Sequence, residues 1–166
     1  MIVVTGATGQ LGRLVIDALL KRVPAERIVA AVRNVEKAQP LAERGVHVRQ
    51  ANYDDPESWQ AALQGAEKVL LISSSEIGQR VDQHRAVIEA AKRQGVALLA
   101  YTSLLHADSS PLGLAQEHRE TEALIHASGV PYVLLRNGWY TENYDLKGAV
   151  KNGAILGAAG DHALQP

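Results

Sequence analysis

Three glycines, Gly6, Gly9 and Gly12, are the first residues in this sequence whose type and spacing suit a chemical task. They lie within Thr5-Gly6-Ala7-Thr8-Gly9-Gln10-Leu11-Gly12. Before them runs a set of β-formers, Ile2 to Thr5. After them Leu11, Leu14, Val15, Ala18 and Leu19 recur at helical spacing up to Lys21. A strand, a glycine turn and a helix together offer a phosphate the free N–H groups and partial positive charge of a helix start. Each glycine has its own expected task. Gly6 permits a sharp exit from the strand. Gly9 leaves room for a pyrophosphate against the backbone, and Gly12 lets the helix lie close on the sheet. The spacing is G-x-x-G-x-x-G rather than G-x-G-x-x-G, but its position between strand and helix predicts nucleotide binding.

Arg33 adds the next piece of chemistry. It ends the second apolar run, about 20 residues beyond the glycine turn, where NAD-binding domains keep an acidic residue for the ribose hydroxyls. An acid there repels a 2′-phosphate. A guanidinium grips it with charge-assisted hydrogen bonds worth roughly 1.5–3 kcal/mol each. Arg33 therefore predicts NADPH over NADH. Lys37 nearby reads more simply as a helix-surface charge.

These residues need a scaffold that brings strand ends together. The apolar runs predict strands over 2–5, 27–33, 46–50, 68–72, 96–102 and 132–136. Helices are expected from the glycine turn to Lys21, over 35–44, from Asp55-Pro56 towards Gly65, over 80–94 and over 115–128, with glycines as stops. Six strands alternating with helices predict a doubly wound, Rossmann-like α/β fold with a parallel sheet in the order 3-2-1-4-5-6. Ligands then sit beyond the carboxyl ends of the strands. The candidates there are Asn52 to Asp55, Ser73-Ser74-Ser75, Thr102 with Ser103, and Asn137-Gly138-Trp139-Tyr140-Thr141-Glu142. Asp55 reads as a helix cap, and the three serines as partners for a ribose or pyrophosphate. Among the histidines, His84 falls on a core-facing helical stripe. His118 stands one turn before Glu122, a plausible local pair. His106 follows the fifth strand within plausible reach of a substrate.

The chain has 166 residues, 46% hydrophobic and 21% charged, with a net charge of −1 and no cysteine. That profile gives no indication of a nucleic-acid or anionic-membrane partner. Without cysteine there are no disulfides, thiolate metal sites or thiol nucleophile. No metal-ligand spacing stands out. No apolar run spans a membrane and strand residues begin at Ile2, so a cytoplasmic protein is expected.

Five segments together resemble a known family: TGATGQLG at 5–12, VRN at 32–34, LLISSSEIGQR at 70–80, YTSLLHAD at 101–108 and LLRNGWYTENY at 134–144. They are similar to the atypical short-chain dehydrogenase/reductases of the NmrA-like group, and most to the bacterial type 2 NADPH:quinone oxidoreductases. The resemblance implies flavin-free and metal-free reduction of a small-molecule quinone by NADPH, and leaves room for a homodimer. It implies a cofactor held by Gly6, Ala7, Thr8, Gly9, Gln10 and Leu11, by Arg33, by Ser73, Ser74 and Ser75, and by Asn137, Gly138, Trp139, Tyr140, Thr141 and Glu142. Ser103, His118 and Tyr140 are the candidate catalytic residues.

Two features depart from the wider family. Its Tyr-x-x-x-Lys pair is replaced by Leu114 and His118, a loss shared by the quinone-reductase branch. Family members also carry a C-terminal lobe over the acceptor. Here 1–146 is expected to form the NADP-binding domain, and 147–166 only the start of that lobe. A cofactor-binding redox sensor without turnover is the alternative that these departures favour.

Overall fold

In the computed structural model the described residues are 1–138, 140, 150 and 151. The chain divides into two compact units, Met1–Arg136 and Asn137–Pro166. The expected boundary after 146, and the segment 147–166 apart from 150 and 151, lie outside the described residues.

Six strands form one sheet: β1 (Ile2–Thr5), β2 (Ile28–Val32), β3 (His47–Gln50), β4 (Lys68–Leu71), β5 (Leu98–Leu104) and β6 (Tyr132–Asn137). Their order is β3-β2-β1-β4-β5-β6, as expected, and the pairings of β1 with β2 and β4, of β2 with β3 and of β4 with β5 are parallel. Five helices connect them: α1 (Gln10–Leu20), α2 (Gln39–Ala42), α3 (Pro56–Ala62), α4 (Arg80–Arg93) and α5 (Gly113–Ser128).

Alternation along β2 shows how the layers are built. Ile28, Ala30 and Val32 join Ile16 of α1 and Leu41 of α2 in one core cluster. Val29 and Ala31 turn the other way, into a cluster with Trp59 of α3, Val87 and Ile88 of α4 and Ile125 of α5. Every residue of β2 is buried, which is why its sequence is apolar throughout rather than alternating.

Several boundaries moved for local reasons. Ala25–Arg27 forms a 3-10 turn, so β2 starts at Ile28. The expected helix over 35–44 is a 3-10 turn at Glu36–Ala38 followed by the short α2. Pro40 lies in the first turn of α2, where its missing N–H costs nothing. Strand β5 runs on to Leu104, so Thr102 and Ser103 lie within the strand instead of ending it. Asp55 caps α3, its side chain accepting from the Glu57 N–H at 3.2 Å.

The order reverses at β1: the chain leaves it for β2 on one side and reaches β4 on the other. The loops after β1 and β4 are therefore neighbours. Thr5 ties them together, its Oγ1 accepting from the Ile72 N–H at 3.0 Å.

Candidate cofactor-binding site

The glycine loop is shaped by its backbone. Gly6 has φ +57°, a conformation that side chains resist. The Gly9 N–H donates to the Gly6 carbonyl at 2.9 Å and closes the turn. A Cβ added at Gly12 would lie 2.3 Å from the Gly6 oxygen and 2.7 Å from the Ala7 Cα. The task expected of Gly12, close packing of the helix on the sheet, is thus more specific: it seats α1 on the loop itself. Helix α1 has no acidic residue in its first turn and no side-chain cap. Its leading N–H groups suit an anionic ligand.

Gly6, Thr8, Gly9, Arg33 and the serines Ser73, Ser74 and Ser75 line one cleft of about 590 Å³. The structure thus brings the three predicted segments together. Ala7 is buried in the core, and Gln10 and Leu11 belong to the first turn of α1. Lys37, expected as a surface charge, also borders the cleft, with Asn34, Tyr53 and Trp59. Tyr53 and Trp59 stack with centroids 5.1 Å apart. Burial pushes the Tyr53 hydroxyl pKa up to about 12. A second hollow of about 410 Å³ lies between α3 and α4 and shares Tyr53, but no glycine-loop residue lines it. The first cleft is the one with phosphate-binding geometry.

The serine loop is held by side chains instead. Its support comes from Thr102 of β5 and from a polar layer on α4 and α5. The Ser73 N–H donates to Thr102 Oγ1 at 2.8 Å, and the Ser74 N–H to His84 Nε2 at 2.9 Å. Arg80 Nε donates to the Ser74 carbonyl at 2.5 Å, and its Nη1 meets Glu117 at 2.8 Å in a pair whose side chains are only 6% and 14% exposed. Gln83 accepts from the Ser74 hydroxyl and donates to Glu76 Oε2 at 2.8 Å. Glu76 in turn meets Arg33 across the cleft at 3.2 Å.

Sequence reasoning missed Glu76, Arg80, Gln83 and Glu117 in these roles. The available signal was Arg80, Gln83 and His84 at helical spacing on one face, directly after the serine loop.

His84 is fully buried, as its helical stripe predicts. Because Nε2 accepts from Ser74, Nδ1 carries the proton and donates to Thr121 Oγ1 at 3.0 Å. Burial, then the nearby Arg80 charge, pushes its pKa down to about 3, so it is neutral.

The α5 residues facing β5 are arranged differently from the expected His118–Glu122 pair. His118 Nδ1 lies 2.7 Å from the Tyr101 hydroxyl. Glu122 is claimed by Arg136, at 2.8 and 3.0 Å, and by the Ser103 hydroxyl at 2.5 Å. Burial alone raises the Glu122 pKa, but these hydrogen bonds outweigh it and hold the carboxyl below its usual range. Burial and Arg80 push His118 down to about 4. Neither Ser103 nor His118 lines the glycine-loop cleft. In the second unit, Asn137 Nδ2 donates to the Tyr140 hydroxyl at 2.9 Å. Gly138 is exposed there. Trp139, Thr141 and Glu142 lie outside the described residues. His106 has φ +54° in the loop after β5.

Comparisons with known proteins agree with this geometry. The family model described as NAD(P)H-binding matches residues 6–159. Quinone oxidoreductase 2 of Escherichia coli is 62% identical over 97% of this chain, which spans 57% of that protein. An NmrA-like family domain-containing oxidoreductase of Aspergillus flavus is 30% identical over 86% of the chain and is spanned to 49%. Among solved structures, the E. coli NADPH-dependent quinone oxidoreductase complexed with NADPH superposes with a TM-score of 0.92 at 62% identity, covering 97% of this chain and 58% of that one. The Citrobacter sp. triphenylmethane reductase complexed with NADP(H) gives 0.89 at 46% identity, covering 96% and 58%. The chain thus spans about half the length of these relatives. With a glycine loop, a strand-end arginine and a serine loop around one cleft, and a family model matching most of its length, this chain belongs to the NAD(P)H-binding family.

Proposed function

We propose that the chain is the cofactor-binding part of an NADPH-dependent quinone reductase. The observation that carries this reading is the shared cleft of Gly6, Gly9, Arg33 and Ser73 to Ser75. The similarity to reductases whose solved structures hold NADPH or NADP(H) supports it. When bound, NADPH supplies the hydride. The chain's own residues bind and orient. The glycine loop and the start of α1 receive the pyrophosphate, and Arg33 receives the 2′-phosphate. The Ser73–Ser75 loop, fixed from below by Thr102 and His84, holds the middle of the dinucleotide. Ser103 and Tyr140 are each proposed as catalytic residues. His118 is proposed to act in its neutral form, keeping Tyr101 in place, and solvent delivers the proton. A hydroquinone oxyanion is comparatively stable, so it needs a dedicated protein acid less than an alkoxide does. A cytoplasmic location is part of the same proposal. No helix among the described residues is long and apolar enough to cross a membrane.

Loss of NADPH absorbance with a simple benzoquinone tests the reading. Turnover that is faster with NADPH than with NADH is expected. NADPH binding without turnover would instead favour the sensor reading, and absence of binding would refute both.

A further inference from the structure

The Arg33–Glu76 pair is an unusual thing to find in a cleft suited to a 2′-phosphate. Both residues line that cleft, and their charged groups meet at 3.2 Å. They are held very unequally. The Arg33 side chain is 73% exposed, and its one hydrogen bond among the described residues is to Glu76. Glu76 is anchored at both ends. Its Oε2 accepts from Gln83 Nε2 at 2.8 Å, and its backbone N–H donates to Ser74 Oγ at 3.2 Å.

Gln83 cannot release the carboxylate by flipping. Its amide oxygen already accepts from the Ser74 hydroxyl, and the residue is 6% exposed. A flip would set its oxygen against the carboxylate and leave the Ser74 hydroxyl, which already accepts from the Glu76 N–H, without its acceptor. The carboxylate is therefore fixed, and the guanidinium comes to it.

A 2′-phosphate arriving at Arg33 meets this carboxylate in competition for the same N–H donors, and is repelled by it. An unphosphorylated ribose experiences neither effect, since its hydroxyls can donate to a carboxylate. The usual acid for those hydroxyls stands at the end of β2. Here that position is Arg33, and an acid is supplied instead from the loop after β4.

We propose that Glu76 is a specificity-determining residue of this cleft. Its carboxylate, fixed by Gln83, competes with the 2′-phosphate for Arg33 and moderates the preference for the phosphorylated dinucleotide. This rests on the reading of Arg33 as the 2′-phosphate partner.

The test uses two fragments that differ only in that phosphate, adenosine 2′,5′-bisphosphate and adenosine 5′-monophosphate, titrated calorimetrically into the chain. The ratio of the two affinities is the readout, because partial unfolding of a variant lowers both equally. Glu76→Gln keeps the shape and removes the charge. It is expected to raise the ratio by about threefold to fivefold at low salt, the scale of an exposed ion pair, and by less at high salt. Glu76→Asp keeps the charge and is expected to leave the ratio within about twofold of the parent. A Glu76→Gln ratio equal to or below the parent's overturns the proposal. So does an equal rise in both variants, since charge would then not be the cause. If the parent itself shows no preference for the bisphosphate, it is the Arg33 reading that fails.

Discussion

The two walls of the cleft are built by different means. On the β1–α1 side the backbone alone makes the site: Gly6 at positive φ, Gly9 closing the turn, and Gly12 leaving no space for a Cβ. On the β4–α4 side the serine loop has ordinary residues and is shaped by Arg80, Gln83 and His84 beneath it, with Glu117 and Thr121 of α5 behind them. A backbone-built wall is damaged by adding an atom. A side-chain-built wall is damaged by removing one, and it is the wall that responds to pH.

The largest effect is expected on the second wall. Arg80→Met leaves the Glu117 carboxylate buried without its ion pair and removes a donor from the Ser74 carbonyl. The expected loss of stability is about 4 kcal/mol by chemical denaturation. A loss under about 1 kcal/mol would mean that the polar layer is incidental. The first wall should yield next. Gly12→Ala places a Cβ 2.3 Å from the Gly6 oxygen, so α1 must shift off the loop. We expect about 3 kcal/mol of destabilisation and lost NADPH binding. Unchanged binding would show that the close seating of α1 is dispensable.

The pH response sharpens the same contrast. His84 and His118 have folded pKa values lowered to about 3 and about 4. The unfolded chain titrates its histidines near pH 6.5, so below that pH it takes up protons that the folded chain refuses. Stability is complete above pH 6.5 and declines as pH falls towards 4. The slope is up to about 1.4 kcal/mol per pH unit for each residue. Denaturation midpoints measured across that range check the sign, and His84→Leu should flatten the curve. A stability that is constant or rises towards pH 4 would contradict the buried neutral assignment.

The same contrast explains what could be read from the sequence. The glycine wall was legible because its information is local: three glycines running from a strand end into the first turn of a helix, within eleven residues. The place of Arg33 at the edge of the cleft was legible from its distance to that turn, and the sheet order from the alternation of apolar runs. The serine wall was only half legible. Ser73 to Ser75 stood out as a strand exit, but Glu76 and Arg80 find their partners 43 and 37 residues away. No local pattern announces such pairings. The partner of His118 is not legible for a related reason. Helical spacing offered Glu122, but Arg136 and Ser103 occupy that carboxylate, and the Tyr101 hydroxyl from β5 takes the imidazole. The end of β5 is not legible, because the strand runs past the expected stop at Thr102 to take in Ser103 and Leu104 with no local signal for where it ends.

Arg33 connects the two walls, and its preference is the most direct test of the whole reading. Equilibrium titration of the parent chain and of Arg33→Ala with NADPH and NADH measures it. The parent should bind NADPH at least about tenfold more tightly than NADH, and the variant should bring the two near parity, mostly by weakening NADPH. Equal binding of both cofactors by the parent, or a preference that survives Arg33→Ala, would contradict the account.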